Sequence, residues 1–270
     1  MSALKLQLTI SPTGRLNLSG ITPAKLAGLS ATEVSRLHIE AGPEKLSLGE
    51  CFKVEGAGTD TLIIEGATPR CDFIGAENED GTIIVEGDVG FYAGRQMRGG
   101  RLEIRGNAGA FLASSLADGL IIVNGSVGDN LGAPLRGERD GMSGGIVVVK
   151  GQIGNSAGAR MRRGTIVASG KIGSAAGERM MGGTVWSASG FGTDAGVQMR
   201  RGTLIAPSVD QMRPTFVDCG LHELGILNIT NRYLREKLGD LAPSPITGSV
   251  RRFAGDMASI GRGEILLTAS

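Results

Sequence analysis

The feature that most constrains this sequence is a repeat of about 19 residues that runs through residues 81–202. Each unit begins with a β-branched run such as Thr-Ile-Ile-Val at 82–85, continues through a pair of glycines, and ends at a closing glycine such as Gly100. Self-similarity at a fixed period of this length is typical of a solenoid. The second glycine of the pair recurs at spacings of 19, 19, 26, 19 and 19 at Gly90, Gly109, Gly128, Gly154, Gly173 and Gly192.

The length of the period decides between helical and β solenoids. A repeat of two helices with their turns needs roughly 33 residues or more. The β-branched runs favour strands, and glycines suit corners where φ is positive or a neighbouring coil comes close. Successive strands would then pair in parallel about 4.8 Å apart. The repeat therefore predicts a mainly β protein, a right-handed parallel β-helix of 19-residue coils over residues 49–206, with degenerate coils in 49–80.

The two ends of the chain lack the repeat and predict caps over the exposed edges. Residues 1–48 read as a small α+β cap, with an alternating strand at 4–10 and brief helices, one of them opening with the capping-box spacing of Ser30 and Glu33. Residues 207–270 read as a C-terminal cap, in which one amphipathic helix covers the last coil, and residues 251–256 and 261–267 form a final loop and strand that dock back onto the body. The apolar face of that helix comprises Leu224, Leu227, Leu234 and Leu238.

A large apolar side chain follows each glycine pair at the same spacing. We expect it to fill the coil interior as an internal ladder, because Met adapts to irregular gaps and is usually buried. Seven extra residues between Ala133 and Met142 account for the single 26-residue step and predict an outward loop, which is either a plain surface excursion or a partner contact. The ladder comprises Met97, Leu116, Met142, Met161, Met180 and Met199.

Composition narrows the class of partner and the compartment. The net charge of +1 lacks the basic surplus of a nucleic-acid-binding protein. The three cysteines, Cys51, Cys71 and Cys219, form no paired framework, which favours a reducing compartment. No run approaches 18 apolar residues, and the first residues lack the apolar core of a signal peptide. We therefore expect a cytoplasmic protein with no nucleic-acid and no membrane partner.

A search for catalytic motifs finds little. Cys219 and His222 have the spacing of half a zinc site, but no second pair follows at ligand spacing. No phosphate loop, dinucleotide fingerprint or nucleophile elbow is present. A stand-alone acyltransferase of the hexapeptide type or a carbohydrate-active β-helix is disfavoured, because the period is not a multiple of six and aromatic residues are only 4%. The sequence predicts no catalytic residue and no metal or cofactor bound by this chain.

Arginines at the coil corners are the best candidates for a functional role. Two pairs directly follow the apolar ladder in coils two repeats apart, and a single arginine takes the matching place in the first coil. Such a ladder could bind a polycarboxylate or an acidic partner surface, because guanidinium matches carboxylate geometry. The alternative is a solvated edge paired with acids such as Glu178. The candidates are Arg98, Arg162, Arg163, Arg200 and Arg201.

The repeated strand-Gly-x-x-Gly-x-x-Ala-Gly-x-x-Met-x-x-Gly unit, the insertion before Met142 and the Gly-Asp…Gly-Arg-Gly-Glu-Ile-Leu tail at 255–266 resemble the C subunit of formylmethanofuran dehydrogenases over roughly residues 45–267. The coils are also similar to the C-terminal β-helix domain of glutamate synthase large subunits. In methylotrophic bacteria this resemblance implies a formyltransferase/hydrolase complex. In methanogenic archaea it implies a molybdenum- or tungsten-dependent complex that reduces carbon dioxide, which is the alternative here.

The resemblance also implies which reaction the complex catalyses and which subunits catalyse it. The complex would move a formyl group from formyl-tetrahydromethanopterin to a methanofuran-type carrier and hydrolyse it to formate. The chemistry would lie on formyltransferase and hydrolase subunits, with zinc on the hydrolase, and this chain would be a non-catalytic scaffold in a hetero-oligomer. The arginine corners would then steer the acidic, polyglutamate-bearing tail of the carrier. Arg outnumbers Lys, as expected of GC-rich bacterial genes, which favours the bacterial branch.

Overall fold

The structure, a computed structural model, describes residues 3–268 of the 270-residue chain and is mainly β. The strands are β1 (Leu4–Leu8), β2 (Leu16–Asn17), β3 (His38–Ala41), β4 (Glu44–Ser47), β5 (Phe52–Glu55), β6 (Thr61–Ala67), β7 (Cys71–Asp72), β8 (Thr82–Gly87), β9 (Arg98–Ile104), β10 (Asp118–Val123), β11 (Ile146–Val149), β12 (Thr165–Ala168), β13 (Met181–Ser187), β14 (Arg201–Ala206), β15 (Val217–His222), β16 (Val250–Gly255) and β17 (Arg262–Thr268). The helices are α1 (Pro23–Leu26), α2 (Ala31–Ser35), α3 (Leu48–Cys51) and α4 (Gly225–Leu238), with a 3₁₀ turn at Gly239–Leu241. Among these helices none is long and apolar enough to cross a bilayer.

The repeats build one large sheet of 13 strands in the order β15-β16-β17-β14-β13-β12-β11-β10-β9-β8-β6-β1-β5. From β6 to β14, apart from β7, each strand pairs in parallel with the strand of the next repeat. The register holds across the insertion, where Leu120 pairs with Ile146. It also holds at the degenerate first unit, where Thr61 pairs with Thr82. The predicted parallel stacking of equivalent residues is therefore present throughout the array.

A second parallel ladder runs through the glycine pairs. The residue before each second glycine forms a single parallel bridge with its equivalent one repeat away, in the series Val89, Ala108, Val127, Ile153, Ile172 and Phe191, and Phe191 bridges in turn to Val209.

The second glycine of each pair and the closing glycine are required for different physical reasons. At Gly109 a Cβ would lie 2.7 Å from the carbonyl oxygen of Gly90, so the backbones of adjacent repeats are too close for any side chain. At the closing Gly164, φ is +97°, a conformation that only glycine adopts without strain. The ladder of Met and Leu side chains lies between these two columns, and all six members are 0% exposed. The prediction that the ladder fills the interior is confirmed.

The N-terminal segment joins the array more closely than its lack of repeats suggests. β1 pairs in parallel with β6, with Leu4 opposite Leu62, and β5 pairs with β1 in the antiparallel direction. A separate four-stranded sheet, β4-β3-β2-β7, lies beside this end. The expected helices are brief, and the expected capping box is present, with the Ser30 N–H donating to Glu33 at 2.8 Å and the Glu33 N–H donating to Ser30 Oγ at 3.3 Å.

The C-terminal segment differs from the sequence-based prediction in what covers the end of the array. The edge of β14 is covered by β17, which pairs with it in parallel from Arg201 opposite Arg262 onwards, and β16 and β15 follow as antiparallel strands. The helix α4, which we expected to cover the last coil, packs instead across the outward face of the sheet. Its Leu227, Leu234 and Leu238 are buried in a cluster with side chains from several repeats, namely Ile122, Ile146, Val148, Val167, Trp186, Ile205 and Leu266.

The helix α4 packs on the sheet because the middle strands are buried on both faces. In β11 all four residues are buried: Val147 and Val149 face the main core, and Ile146 and Val148 face α4. An outward apolar stripe of this kind needs a cover, and the amphipathic helix supplies it.

Candidate anion-binding groove

A groove lies between the insertion loop and the turn that connects β16 to β17. It consists of two adjoining cavities of about 840 Å³ and 630 Å³. Both cavities are lined by Asp140, Met181, Arg200 and Ile260, so they are two parts of one open depression. Asp140 belongs to the insertion loop and Ile260 to the β16–β17 turn, which form its opposite walls.

The lining of this groove is strongly cationic. Among the described residues that line it, Asp140 is the only carboxylate, against seven arginines, and none of the chain's lysines takes part. The groove therefore carries a formal charge of +6. Because the whole chain carries +1, the remainder carries −5. The arginines are Arg139, Arg160, Arg162, Arg163, Arg179, Arg200 and Arg201.

The repeat determines the positions of four of these arginines, the pairs Arg162-Arg163 and Arg200-Arg201. Arg162 and Arg200 directly follow Met161 and Met199, whose buried side chains hold the backbone at the corner while the next residue points outward. The two positions are two repeats apart, which corresponds to about 10 Å along the stack. Met181 occupies the equivalent place in the repeat between them and contributes an apolar patch to the floor.

Few of these arginines are neutralised. Arg162 pairs with Asp140 at 2.8 Å, and Arg139 approaches the same carboxylate at 3.7 Å. Within residues 3–268, Arg163, Arg200 and Arg201 form no ion pair, and all three side chains are exposed. An exposed guanidinium presents five N–H donors and no acceptor, so the groove is suited to binding anions.

The structure separates one predicted residue from the others. Arg98 pairs with Glu79 at 3.1 Å, each side chain being 63% exposed, and it does not line the groove. It stands three repeats before Arg162, and Ala117 and Ser143 occupy the corresponding places between them. Glu178, the acid that was expected to pair with the corner arginines, lies 3.8 Å from Arg179. Within the predicted set, Arg162 pairs with Asp140 and Arg98 pairs with Glu79.

An ion pair between Glu138 and Arg95, which sequence reasoning missed, fixes the insertion loop to the array. Glu138 Oε1 lies 2.5 Å from Arg95, and its carboxylate also accepts hydrogen bonds from Ser115 at 3.1 Å and from the Leu135 N–H at 2.9 Å. The hydrogen bond from Arg95 is the main cause that lowers the pKa of Glu138 to about 2, against the opposing effect of burial. These contacts therefore fix the insertion loop in place as one wall of the groove. No signal local to residues 134–141 identifies Arg95 as the partner.

The cysteines and histidines do not converge on a common point. Burial raises the pKa of the Cys51 and Cys71 thiols, and Cys219 is exposed. The ring nitrogen Nε2 of His222 lies 2.9 Å from the main-chain carbonyl of Cys219. In the described part of the chain no three His, Cys, Asp or Glu side chains are grouped as metal ligands would be.

Comparison with known proteins gives two full-length similarities. The chain is 43% identical over 269 residues to the C subunit of the formyltransferase/hydrolase complex Fhc of Methylorubrum extorquens, with 100% of both chains covered. The chain belongs to the family of this C subunit. A chain in the X-ray crystal structure of the formyltransferase/hydrolase complex FhcABCD from the same organism, in complex with methylofuran, matches with a TM-score of 0.92 and 36% identity over 98% of this chain and 100% of that one.

In the sequence comparison, a member of the archaeal branch matches part of the chain. The C subunit of the tungsten-containing formylmethanofuran dehydrogenase 2 of Methanothermobacter wolfeii is 34% identical over 99 residues, which is 35% of this chain and 37% of that one. No protein-family model matches the chain. The resemblance inferred from the repeat, the insertion and the tail is thus confirmed, and its bacterial form is the nearer of the two.

Proposed function

We propose that this chain is a non-catalytic scaffold subunit of a complex that transfers a formyl group from formyl-tetrahydromethanopterin to a methanofuran-type carrier and hydrolyses it to formate. The observation that carries this proposal is the full-length similarity to the C subunit of the formyltransferase/hydrolase complex. The archaeal alternative, a subunit of a carbon-dioxide-reducing complex, is supported over about a third of the chain only. The groove of guanidinium groups supports a binding role over a catalytic one.

The scaffold in this proposal is a right-handed parallel β-helix over residues 49–206, with an α+β cap at 1–48 and a helix-bearing cap at 207–270. Two parallel ladders support it, one through the strands and one through the glycine pairs. A third set of contacts supports it too: main-chain N–H groups in the turns donate to carbonyls one repeat away, as from Tyr92 to Ala110 and from Gly177 to Ala157. Stacked repeats of this kind make a rigid body with long lateral faces.

Hetero-oligomeric assembly is the second part of the proposal. The similar chain of known structure comes from a four-component complex, FhcABCD. Large apolar side chains stay exposed on two consecutive elements, β15 and α4, including Leu221 at 72% and Ile226 at 56%. Exposed apolar groups of this size commonly mark surfaces that meet other proteins. We assign the partners to the hydrolase-like and formyltransferase subunits of a cytoplasmic complex, with the zinc on the hydrolase.

The groove completes the proposal. Arg162, Arg163, Arg200 and Arg201 would contact the acidic tail of the carrier or an acidic surface of a partner. Arg98 would stand outside this contact because its partner is Glu79. The carrier and tetrahydromethanopterin would be bound by other subunits.

Co-expression tests the scaffold role. The four subunits are produced together, with and without this chain, and the assembly is measured by size-exclusion chromatography alongside formyl transfer and formate release. We expect the chain to co-purify with the other subunits, and its omission to break the assembly. Full activity of an assembly formed without the chain would refute the scaffold role. Formyl turnover by the isolated chain would refute its non-catalytic character.

A further inference from the structure

We propose that a cavity on the outward face of the sheet binds a free apolar α-amino acid, a zwitterion with a hydrocarbon side chain. The cavity has a volume of about 520 Å³ and lies between the C-terminal ends of β11–β13 and the connecting segment, residues 240–247, which leads from the 3₁₀ turn towards β16. It shares no lining residue with the arginine groove. The inference goes beyond the proposed function, because neither the scaffold role nor the carrier contact uses this cavity.

The floor of the cavity is apolar and buried. Val148, Val167 and Trp186 line it from the sheet, and Leu241 and Ile246 line it from the connecting segment. A hydrocarbon side chain placed on this floor is removed from water, which favours its binding. The volume is in the range of ordinary small-molecule sites, so the cavity can hold a single amino acid.

The lining also includes a buried hydrogen-bond donor. Trp186 is only 5% exposed, and within residues 3–268 its indole N–H donates to no acceptor. A tryptophan buried to this extent usually has an acceptor for its N–H, because an unmade hydrogen bond in the interior is costly. A carboxylate oxygen of a ligand in the cavity would supply that acceptor.

Two opposite charges line the same cavity and indicate a zwitterion. Lys150 and Asp240 are its only charged lining residues in the described part of the chain; both are exposed, and neither forms an ion pair there. The Lys150 ammonium can donate to the α-carboxylate of an amino acid, and the Asp240 carboxylate can accept from its α-ammonium group. A fatty acid would match Lys150 alone, and an aliphatic amine would match Asp240 alone. The lining has no net charge, which suits a ligand with none.

The connecting segment is held in place without a ligand. The Asn231 side chain of α4 donates to the Ile246 carbonyl at 2.8 Å and accepts from the Ile246 N–H at 3.1 Å. Pro243 and Pro245 fix φ at two further positions of the segment. A preformed cavity loses little conformational entropy when a ligand binds, which favours affinity.

Tryptophan fluorescence of the full-length chain tests the proposal, because Trp186 is the single tryptophan and lines the cavity. The probe is L-leucine, and its analogues isocaproate and isoamylamine lack the ammonium group and the carboxylate group, respectively. We expect a saturable change with leucine, half-complete at about 1 mM or below, which is reasonable for a ligand of this size. Each analogue should bind about tenfold more weakly, since it loses one charge-assisted hydrogen bond.

The double variant Lys150→Gln/Asp240→Asn should bind leucine at least about tenfold more weakly, with unchanged circular dichroism to show that it is folded. The matched control, Lys45→Gln/Glu44→Gln, removes the same two charges from exposed positions in β4 and should bind leucine as the unaltered chain does. Absence of a saturable response to leucine, equally tight binding of either analogue, or equal weakening by the two double variants would overturn the proposal. The comparison of analogues uses the unaltered chain, so it decides the question even if a variant fails to fold.

Discussion

A Glu138→Gln variant should lose stability at neutral pH through the ion pair with Arg95. The two side chains are 28% and 16% exposed, so the pair is largely shielded from solvent. Glutamine keeps the size of the side chain and can still accept from Ser115 and the Leu135 N–H. It leaves the Arg95 guanidinium without its counter-charge, which is the costly part of the change.

The magnitude follows from the pKa of Glu138, which falls from 4.5 to about 2 in the folded chain. A shift of about 2.5 units corresponds to about 3 kcal/mol at 1.36 kcal/mol per unit. Residual solvent screening reduces this, and we expect a loss of about 2 kcal/mol at pH 7. Because the folded-state pKa is lowered, the stabilisation is fully present above pH 4.5 and is lost as the pH falls towards 2.

Urea unfolding of the unaltered chain and the variant at pH 7 and at pH 3 measures the global part of the effect. Limited trypsin digestion measures the local part, because Arg139 in the loop is 82% exposed and becomes easier to cleave if the loop detaches. The matched control is Glu79→Gln, which breaks a pair that is 63% exposed on both sides and should cost less than about 1 kcal/mol.

Two results would refute this account of the insertion loop. One is a Glu138→Gln variant that matches Glu79→Gln in urea at pH 7 and is cut by trypsin no faster than the unaltered chain. The other is a stability loss that is as large at pH 3 as at pH 7, since the pair would then contribute nothing through its charge.

Further substitutions test the packing. Met161→Ala should cost about 2–5 kcal/mol and Met161→Leu less than about 1.5 kcal/mol in urea unfolding, because Met161 is 0% exposed; equal effects would contradict the internal ladder. Gly144→Ala should lower the melting temperature by several degrees, because its Cβ would lie 1.9 Å from the Ala117 carbonyl oxygen, whereas Gly225→Ala, with open space, should not. Leu234→Ala should cost about 2–5 kcal/mol and Ile229→Ala, 55% exposed, about 0.5 kcal/mol or less; similar losses would argue against the packing of α4 on the sheet.

Much of the array could be predicted from the sequence because its contacts repeat with the chain. A residue in one unit meets its equivalent about 19 residues later, so Thr61 opposite Thr82 and the buried Met161 could be read from spacing alone. The same logic located the insertion and the pairs Arg162-Arg163 and Arg200-Arg201. Arg98, the fifth candidate, pairs with Glu79 outside the groove, because equal position in the repeat does not bring residues three repeats apart into contact.

The features that do not follow the repeat could be located only from the tertiary structure. The partner of Glu138 is Arg95, 43 residues away, and the β16–β17 turn reaches the groove through Asp256 and Gln198. The position of α4 depends on the outward stripe around Val148, which the strand sequence shows only as a continuous apolar run.

The sequence by itself therefore determined the parallel array, its glycine positions and its apolar interior, since each recurs in every repeat, and it determined the family through the repeat, the insertion and the tail together. The tertiary structure decided which arginines share one groove and what its walls are. The physical reason is that periodic contacts are local in the repeat, whereas the insertion loop and the C-terminal turn act on the array through single long-range hydrogen bonds and ion pairs that have no period to reveal them.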